Sequence, residues 1–185
     1  MIPPVSGEEG EQSREERLAV ARRYRERRGS ELRALAATAI ADEVIAAGEF
    51  STVPTEALAA VPGVGMLLLP LARRRSRKIG LTPKVLLALD ASRLHALRLR
   101  PTGVRRDADE VNEGRSWPRD EVSAERAGRA FMRDRIRLSV PDEDEPLVLY
   151  APPLVTNPWS AEVVRLLGGE APEPLDLEGA PEGEV

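Results

Sequence analysis

Alternation of apolar and polar positions is the clearest pattern in the second half of the chain. Residues 134–140 place Ile136, Leu138 and Val140 on one side and Arg135, Arg137 and Ser139 on the other, which is typical of a strand with one buried face. Residues 93–100 alternate in the same way, whereas 84–90 form an apolar run that suits a strand buried on both faces. Further strands are predicted at 43–53, 114–117, 121–128 and 146–151. The pattern therefore indicates seven short antiparallel strands.

Helical patterns flank this strand-rich region. Ser13 followed by Glu16 predicts a helix start with a capping box, and Gly29 is expected to end that helix. A second helix is predicted from Ser30, so that residues 13–41 form an N-terminal helical extension.

A last helix is predicted over 158–167. Asn157 and Pro158 are typical of a helix start, and Gly168 of its end. Trp159 and Val163 recur at helical spacing and are expected to share its buried stripe. The predicted fold class is α+β, with a small antiparallel barrel or sandwich over 42–169 closed by this helix.

The two ends of the chain have few apolar residues. Residues 1–12 and 170–185 contain mostly Pro, Gly and acidic residues, so we expect a disordered leader and an acidic disordered tail. The N-terminus has no apolar stretch behind basic residues, which predicts a cytoplasmic protein without a secretory signal.

The composition excludes several kinds of chemistry. The chain has no cysteine and only one histidine, so disulfide frameworks, thiolate metal sites and paired-histidine sites cannot form. His95 alternates with leucines and is expected to be a partly buried structural residue.

No sequence motif predicts an enzyme. Nucleophile-elbow, dinucleotide-binding, phosphate-loop and zinc-protease motifs are absent. The pairs Asp107 with Asp109 and Asp142 with Asp144 fall in solvated turns, where raised pKa values are not expected. We therefore expect a protein that is not an enzyme, with no cofactor, no metal and no small-molecule substrate.

Residues 57–72 are the longest uncharged stretch. These sixteen residues contain Pro62, Gly63, Gly65 and Pro70, and a bilayer-spanning helix needs about 20 uninterrupted apolar residues. Two interpretations stay open: an apolar insertion buried against the domain, or a segment lying at a membrane surface.

Charge is unevenly distributed. Residues 73–106 hold eleven basic residues and one acid, whereas 142–185 hold eleven acids and one base. The basic cluster 73–78 directly follows the apolar insertion, and such a combination attracts anionic lipid. The candidate lipid- or polyanion-binding residues are Arg73, Arg74, Arg75, Arg77 and Lys78.

Seven strands followed by one helix, with Trp159 in the helix and the basic cluster between the first two strands, resembles a pleckstrin-homology-like (PH-like) domain of the kind found in small proteins of high-GC bacteria. The resemblance implies a barrel closed by its C-terminal helix. It also implies that the connection between the first two strands is where lipid-binding members hold their basic residues.

The function predicted from the sequence is a non-enzymatic interaction or scaffold module that binds a protein partner or self-associates. The alternative is a peripheral membrane protein that uses 57–72 and 73–78 at the inner face of an anionic membrane. Nucleic-acid binding is not expected, because the basic block lacks interleaved aromatic residues.

Overall fold

The computed structural model describes residues 7–53, 80–101, 109–130 and 132–173. These residues form an α+β fold with two helices and one open antiparallel sheet of seven strands; the class and the antiparallel strands are as predicted. The elements are α1 (Gly7–Ala37), β1 (Ala46–Ser51), β2 (Lys84–Leu89), β3 (Arg93–Pro101), β4 (Asp109–Pro118), β5 (Ser123–Ala130), β6 (Arg133–Ser139), β7 (Leu147–Ala151) and α2 (Pro158–Leu166).

The strand order is β4-β3-β2-β1-β7-β6-β5, so β4 and β5 are the sheet edges. β1 pairs with β2 from end to end, but it pairs with β7 only through Ser51 and Tyr150. This single pair joins a four-stranded part, β1–β4, to a three-stranded part, β5–β7. The three hairpins β2–β3, β5–β6 and β6–β7 use strands close to the predicted ones.

β4 is longer than its pattern predicts. It begins at Asp109, five residues before the predicted strand 114–117, because its backbone continues the ladder with the end of β3 as far as the Pro101–Asp109 pair. Polar side chains are tolerated there because β4 is an edge strand. Pro118 ends the strand, as expected for a residue without a backbone donor.

α1 is one continuous helix, and the predicted break at Gly29 is wrong. A Cβ atom added at Gly29 would lie 4.0 Å from Cβ of Trp159, so a small residue suits this helix contact. The helix also begins earlier than predicted. Residues 7–12, expected to be disordered, form its first turns, where glutamates favour the positive end of the helix dipole. The Ser13–Glu16 pair therefore lies inside the helix and does not mark its start.

Apolar side chains form two clusters on opposite sides of the four-stranded part. The inner cluster joins both parts of the sheet to α2 and includes Leu87, Ile136, Leu149 and Val163. The outer cluster lies between α1 and the other face of β1–β3. Its members include Leu32, Ala36, Leu86, Ala88 and Leu97. β2 is therefore buried on both faces, as its uninterrupted apolar run predicts.

α2 has the predicted bounds, and Gly168 follows it with φ of +79°. Its apolar residues divide between the two clusters: Val163 and Val164 face the inner cluster, whereas Trp159 belongs to the outer one and makes an edge-on contact with Tyr24 of α1. The single buried stripe predicted for α2 is thus corrected, because α1 supplies a second surface for Trp159.

Candidate functional site

The basic residues chosen from the sequence, Arg73, Arg74, Arg75, Arg77 and Lys78, lie outside the described residues, as does the apolar insertion 57–72. Their role in lipid binding stays a prediction. Residues 174–185 of the acidic tail also lie outside. The described residues provide other candidates.

His95 has a partner that the sequence did not identify. Its Nε2 lies 2.7 Å from Oδ2 of Asp90, which is fully buried in the β2–β3 turn. The other carboxylate oxygen accepts hydrogen bonds from the backbone N–H groups of Ser92 and Arg93 at 2.7 and 2.6 Å. Burial alone raises the pKa of Asp90, but the bonds from His95 and these N–H groups outweigh it and hold the pKa at about 2. The pair stabilises the turn.

Asp142 also has a structural role. It lies in the β6–β7 turn and binds Nη2 of Arg115 at 2.6 Å, while the indole N–H of Trp117 donates to its other oxygen. Partial desolvation opposes ionisation, but the bonds from Arg115 and Trp117 prevail and lower the pKa of Asp142. The predicted absence of a raised pKa at this carboxylate agrees with the structure.

The outer face of β5–β7 differs from every other face of the sheet. Alternation along β6 buries Asp134, Ile136 and Leu138 in the core and sends Arg133, Arg135 and Arg137 to the opposite face. We call these three residues the arginine row. Within the described part of the chain, neither helix packs extensively on β6 or β7. The row therefore lies on a face that neither α1 nor α2 covers.

Two half-buried side chains of β7 lie beside the arginine row. Tyr150 is the cross-strand neighbour of Arg135, and Val148 is the neighbour of Arg137. On β5, Glu125 is paired with Arg137, and its carboxylate lies 3.7 Å from the guanidinium. The surface thus combines three cations with an aromatic ring, an aliphatic side chain and one acid at its rim.

Asp134 fixes the position of β6 beneath this surface. Its side chain is fully buried, and one oxygen accepts hydrogen bonds from Nε and Nη2 of Arg126 at 2.9 and 2.7 Å. The other oxygen accepts the backbone N–H of Leu154 at 2.7 Å. Burying a carboxylate without hydrogen-bond partners is costly, and these contacts offset that cost. Because a slip of β6 by one residue would exchange its two faces, Asp134 also keeps the arginines outside.

The spacing of the row determines what it can bind. Side chains at every second position of a strand are about 6.7 Å apart, so the row presents three cations along about 13 Å. Guanidinium groups form bidentate hydrogen bonds with carboxylates and phosphates. The surface is suited to an extended anionic chain with negative groups at alternate positions.

The alternation pattern found the outward direction of Arg135 and Arg137, but it did not single them out as a site. Arg133 lies one residue before the predicted strand 134–140. In the sequence, these arginines lie among acids, whereas the local excess of positive charge is in 73–106. Only the packing of α1 on the four-stranded part shows which basic face the described helices leave uncovered.

No protein-family model and no curated protein matches this chain. The described residues contain no group of three or more histidine, aspartate or glutamate side chains placed to hold a metal ion. Of α1 and α2, neither combines the length and the apolar composition that crossing a membrane requires.

Proposed function

We propose that this protein is a non-enzymatic interaction module of PH-like architecture whose arginine row binds an acidic segment of a protein partner. The observation that carries the proposal is the row itself: three arginines at alternate positions of β6, on a sheet face that neither helix covers.

The order of the elements supports the PH-like part of the proposal. Seven antiparallel strands in a four-stranded and a three-stranded part are followed by a helix. α2 packs mainly on β1 and also reaches β5, where the carbonyl of Leu167 accepts the N–H of Ala124 at 3.0 Å. α2 therefore links the two parts. α1 adds a further layer to this plan.

The roles of the buried carboxylates support the non-enzymatic part. Asp90 binds a turn and His95, and Asp134 binds two arginines and a backbone N–H. Each already accepts the hydrogen bonds that hold a strand or a turn in place. Their burial thus serves the fold.

The surface favours a protein segment over a flat membrane. Tyr150 and Val148 provide an aromatic and an aliphatic contact beside the arginines, and such contacts are enriched in protein interfaces. An extended peptide with acids at every second position matches the spacing of the row, and opposite charge speeds its association.

The test uses two variants that lose the same number of charges. The first replaces Arg133, Arg135 and Arg137 with Gln, and the control replaces Arg23, Arg27 and Arg33, which are exposed on α1. Each is titrated with a peptide of alternating Glu and Ser and with vesicles containing phosphatidylserine. We expect the wild type and the control to bind the peptide, with the row variant at least about tenfold weaker.

Equal peptide binding by the two variants would reject the arginine row as the site. Binding of vesicles in place of the peptide, undiminished in the row variant, would favour the membrane alternative. A further replacement of Arg73, Arg74, Arg75, Arg77 and Lys78 would then test that alternative directly.

A further inference from the structure

A second group of arginines lies on the inner side of β5 and is separate from the arginine row. It borders an open cleft of about 470 Å³ between β5 and the residues that follow α2. The cleft is lined by Arg126, Arg165, Gly169, Glu170, Ala171 and Pro172.

The guanidinium group of Arg126 is held by Asp134 but uses only some of its hydrogen-bond donors for that contact. Its Nε and Nη2 both donate to Oδ1 of the fully buried Asp134. A guanidinium carries five N–H donors, so three remain beyond this contact. The side chain is 30% exposed at the cleft, which gives these donors access to a ligand.

A β-bulge brings a second arginine to the same carboxylate. Positions 126 and 129 are three apart and would lie on opposite faces of a regular strand. The pairing of β5 with β6 shifts between them, and Gly128 adopts φ of +89°, a conformation that glycine tolerates best. As a result, Nε of Arg129 also reaches Oδ1 of Asp134, at 3.4 Å, with 58% of its side chain exposed.

The charges of this cluster do not cancel. Arg126, Arg129 and Arg165 contribute three positive charges, whereas Asp134 and Glu170 contribute two negative ones. Arg165 also donates to the carbonyl of Pro172 at 3.4 Å, which holds it at the cleft. Asp134 has no exposed surface, so its oxygens cannot be reached from the cleft, whereas Arg126 and Arg129 are both partly exposed.

We propose that Arg126, which lines the cleft and is held by Asp134, and Arg129, brought to the same carboxylate by the bulge at Gly128, form an anion-binding site at the edge of this cleft that takes the phosphate or carboxylate group of a small ligand. Two converging guanidinium groups suit an oxyanion with several acceptors. Ala171 and Pro172 provide an apolar wall for the rest of such a ligand.

The test observes the arginines directly. ¹⁵N-labelled full-length protein is titrated with inorganic phosphate and, separately, with acetate, at an ionic strength kept constant with NaCl. The resonances followed are the Nε–Hε groups of the arginines and the backbone amides of Gly169 and Ala171. We expect saturable shifts at Arg126, Arg129 and these amides with at least one of the two anions, and the comparison of phosphate with acetate identifies which group the site prefers.

Arg129→Gln is the test variant, because Arg129 is exposed and makes the longest contact with Asp134. We expect it to weaken anion binding about tenfold, as loss of a charged hydrogen bond does. Arg23→Gln removes the same charge from an exposed position of α1, outside both proposed sites, and should leave the affinity unchanged. Equal shifts with chloride alone, no saturation with either anion, or equal losses in both variants would overturn the proposal. None of these results depends on the peptide binding proposed for the arginine row.

Discussion

The outer faces of the two parts of the sheet follow the same alternation rule, but α1 covers only one of them. On the four-stranded part, the outward positions of β2 and β3 are Leu86, Ala88 and Leu97, and α1 covers them. On the three-stranded part, the outward positions of β6 are the arginine row, and neither described helix covers it. One face is a packing surface, and the other carries three cations on which neither described helix packs.

Within the described residues one long helix, α1, is present for two outer sheet faces, and the difference shows that side-chain chemistry decides which face it covers. Covering apolar side chains releases water and stabilises the fold, whereas covering three arginines would require desolvating them. The ion pair between Arg28 and Glu49 helps to align α1 on its face. The same rule leaves the arginine row uncovered by the two described helices.

The largest effect on the free energy of unfolding is expected at Asp134, which anchors β6 in the three-stranded part. Asp134→Ala should lower the free energy of unfolding by about 4 kcal/mol, because Arg126 and the N–H of Leu154 lose their partner. Chemical denaturation measures the change. Asp144→Ala, at an exposed position of the β6–β7 turn, is the control and should cost less than about 0.5 kcal/mol. Similar losses in both variants would show that Asp134 does not anchor β6.

The covered half should depend on the contact with α1. Leu32 is fully buried against the sheet, so Leu32→Ala should cost about 3 kcal/mol through lost burial and the cavity left behind. Val20 lies on the same helix and is 65% exposed, and Val20→Ala should have almost no effect on the free energy of unfolding. If Leu32→Ala were as mild as Val20→Ala, α1 would not be needed to cover this face.

Acid should weaken the covered half at the β2–β3 turn. The folded-state pKa of Asp90 is about 2, below its ordinary value of 3.8, so its contribution is complete above about pH 4 and is lost as the pH falls towards 2. Asp90→Asn cannot titrate there. The difference in the free energy of unfolding between wild type and Asp90→Asn should therefore shrink by about 2 kcal/mol over this range. A constant difference in denaturation experiments at several pH values would contradict the assignment.

The smallest effect on stability is expected on the arginine row itself. Arg137→Gln removes a half-exposed side chain whose ion pair with Glu125 spans 3.7 Å, and the free energy of unfolding should change by less than about 0.5 kcal/mol. The same variant should bind the alternating acidic peptide more weakly than wild type does. A large loss of stability would mean that the arginine row serves packing, and the contrast between the two faces would disappear.

The predictable parts of the structure are those in which local pattern and tertiary packing agree. The apolar run 84–90 and the alternation of 134–140 predicted β2 and β6 with their correct faces. The break at Gly29 was predicted wrongly because glycine has a low intrinsic helix propensity. In the folded protein α1 continues through Gly29 and contacts Trp159 there. The partner of His95 was missed because Asp90 precedes it by five residues, and only the turn brings the two side chains together.

By itself, the sequence determined the antiparallel strands, the α+β class, the C-terminal helix and the outward direction of Arg135 and Arg137. Periodicity and turn residues are local, so the chain carries them before it folds. The tertiary structure decided which outer face α1 covers and that Trp159 packs in a different cluster from the other buried residues of α2. It also decided that the bulge brings both Arg126 and Arg129 to Asp134. These features depend on contacts between residues distant in sequence or on an irregular strand, and no local pattern encodes them.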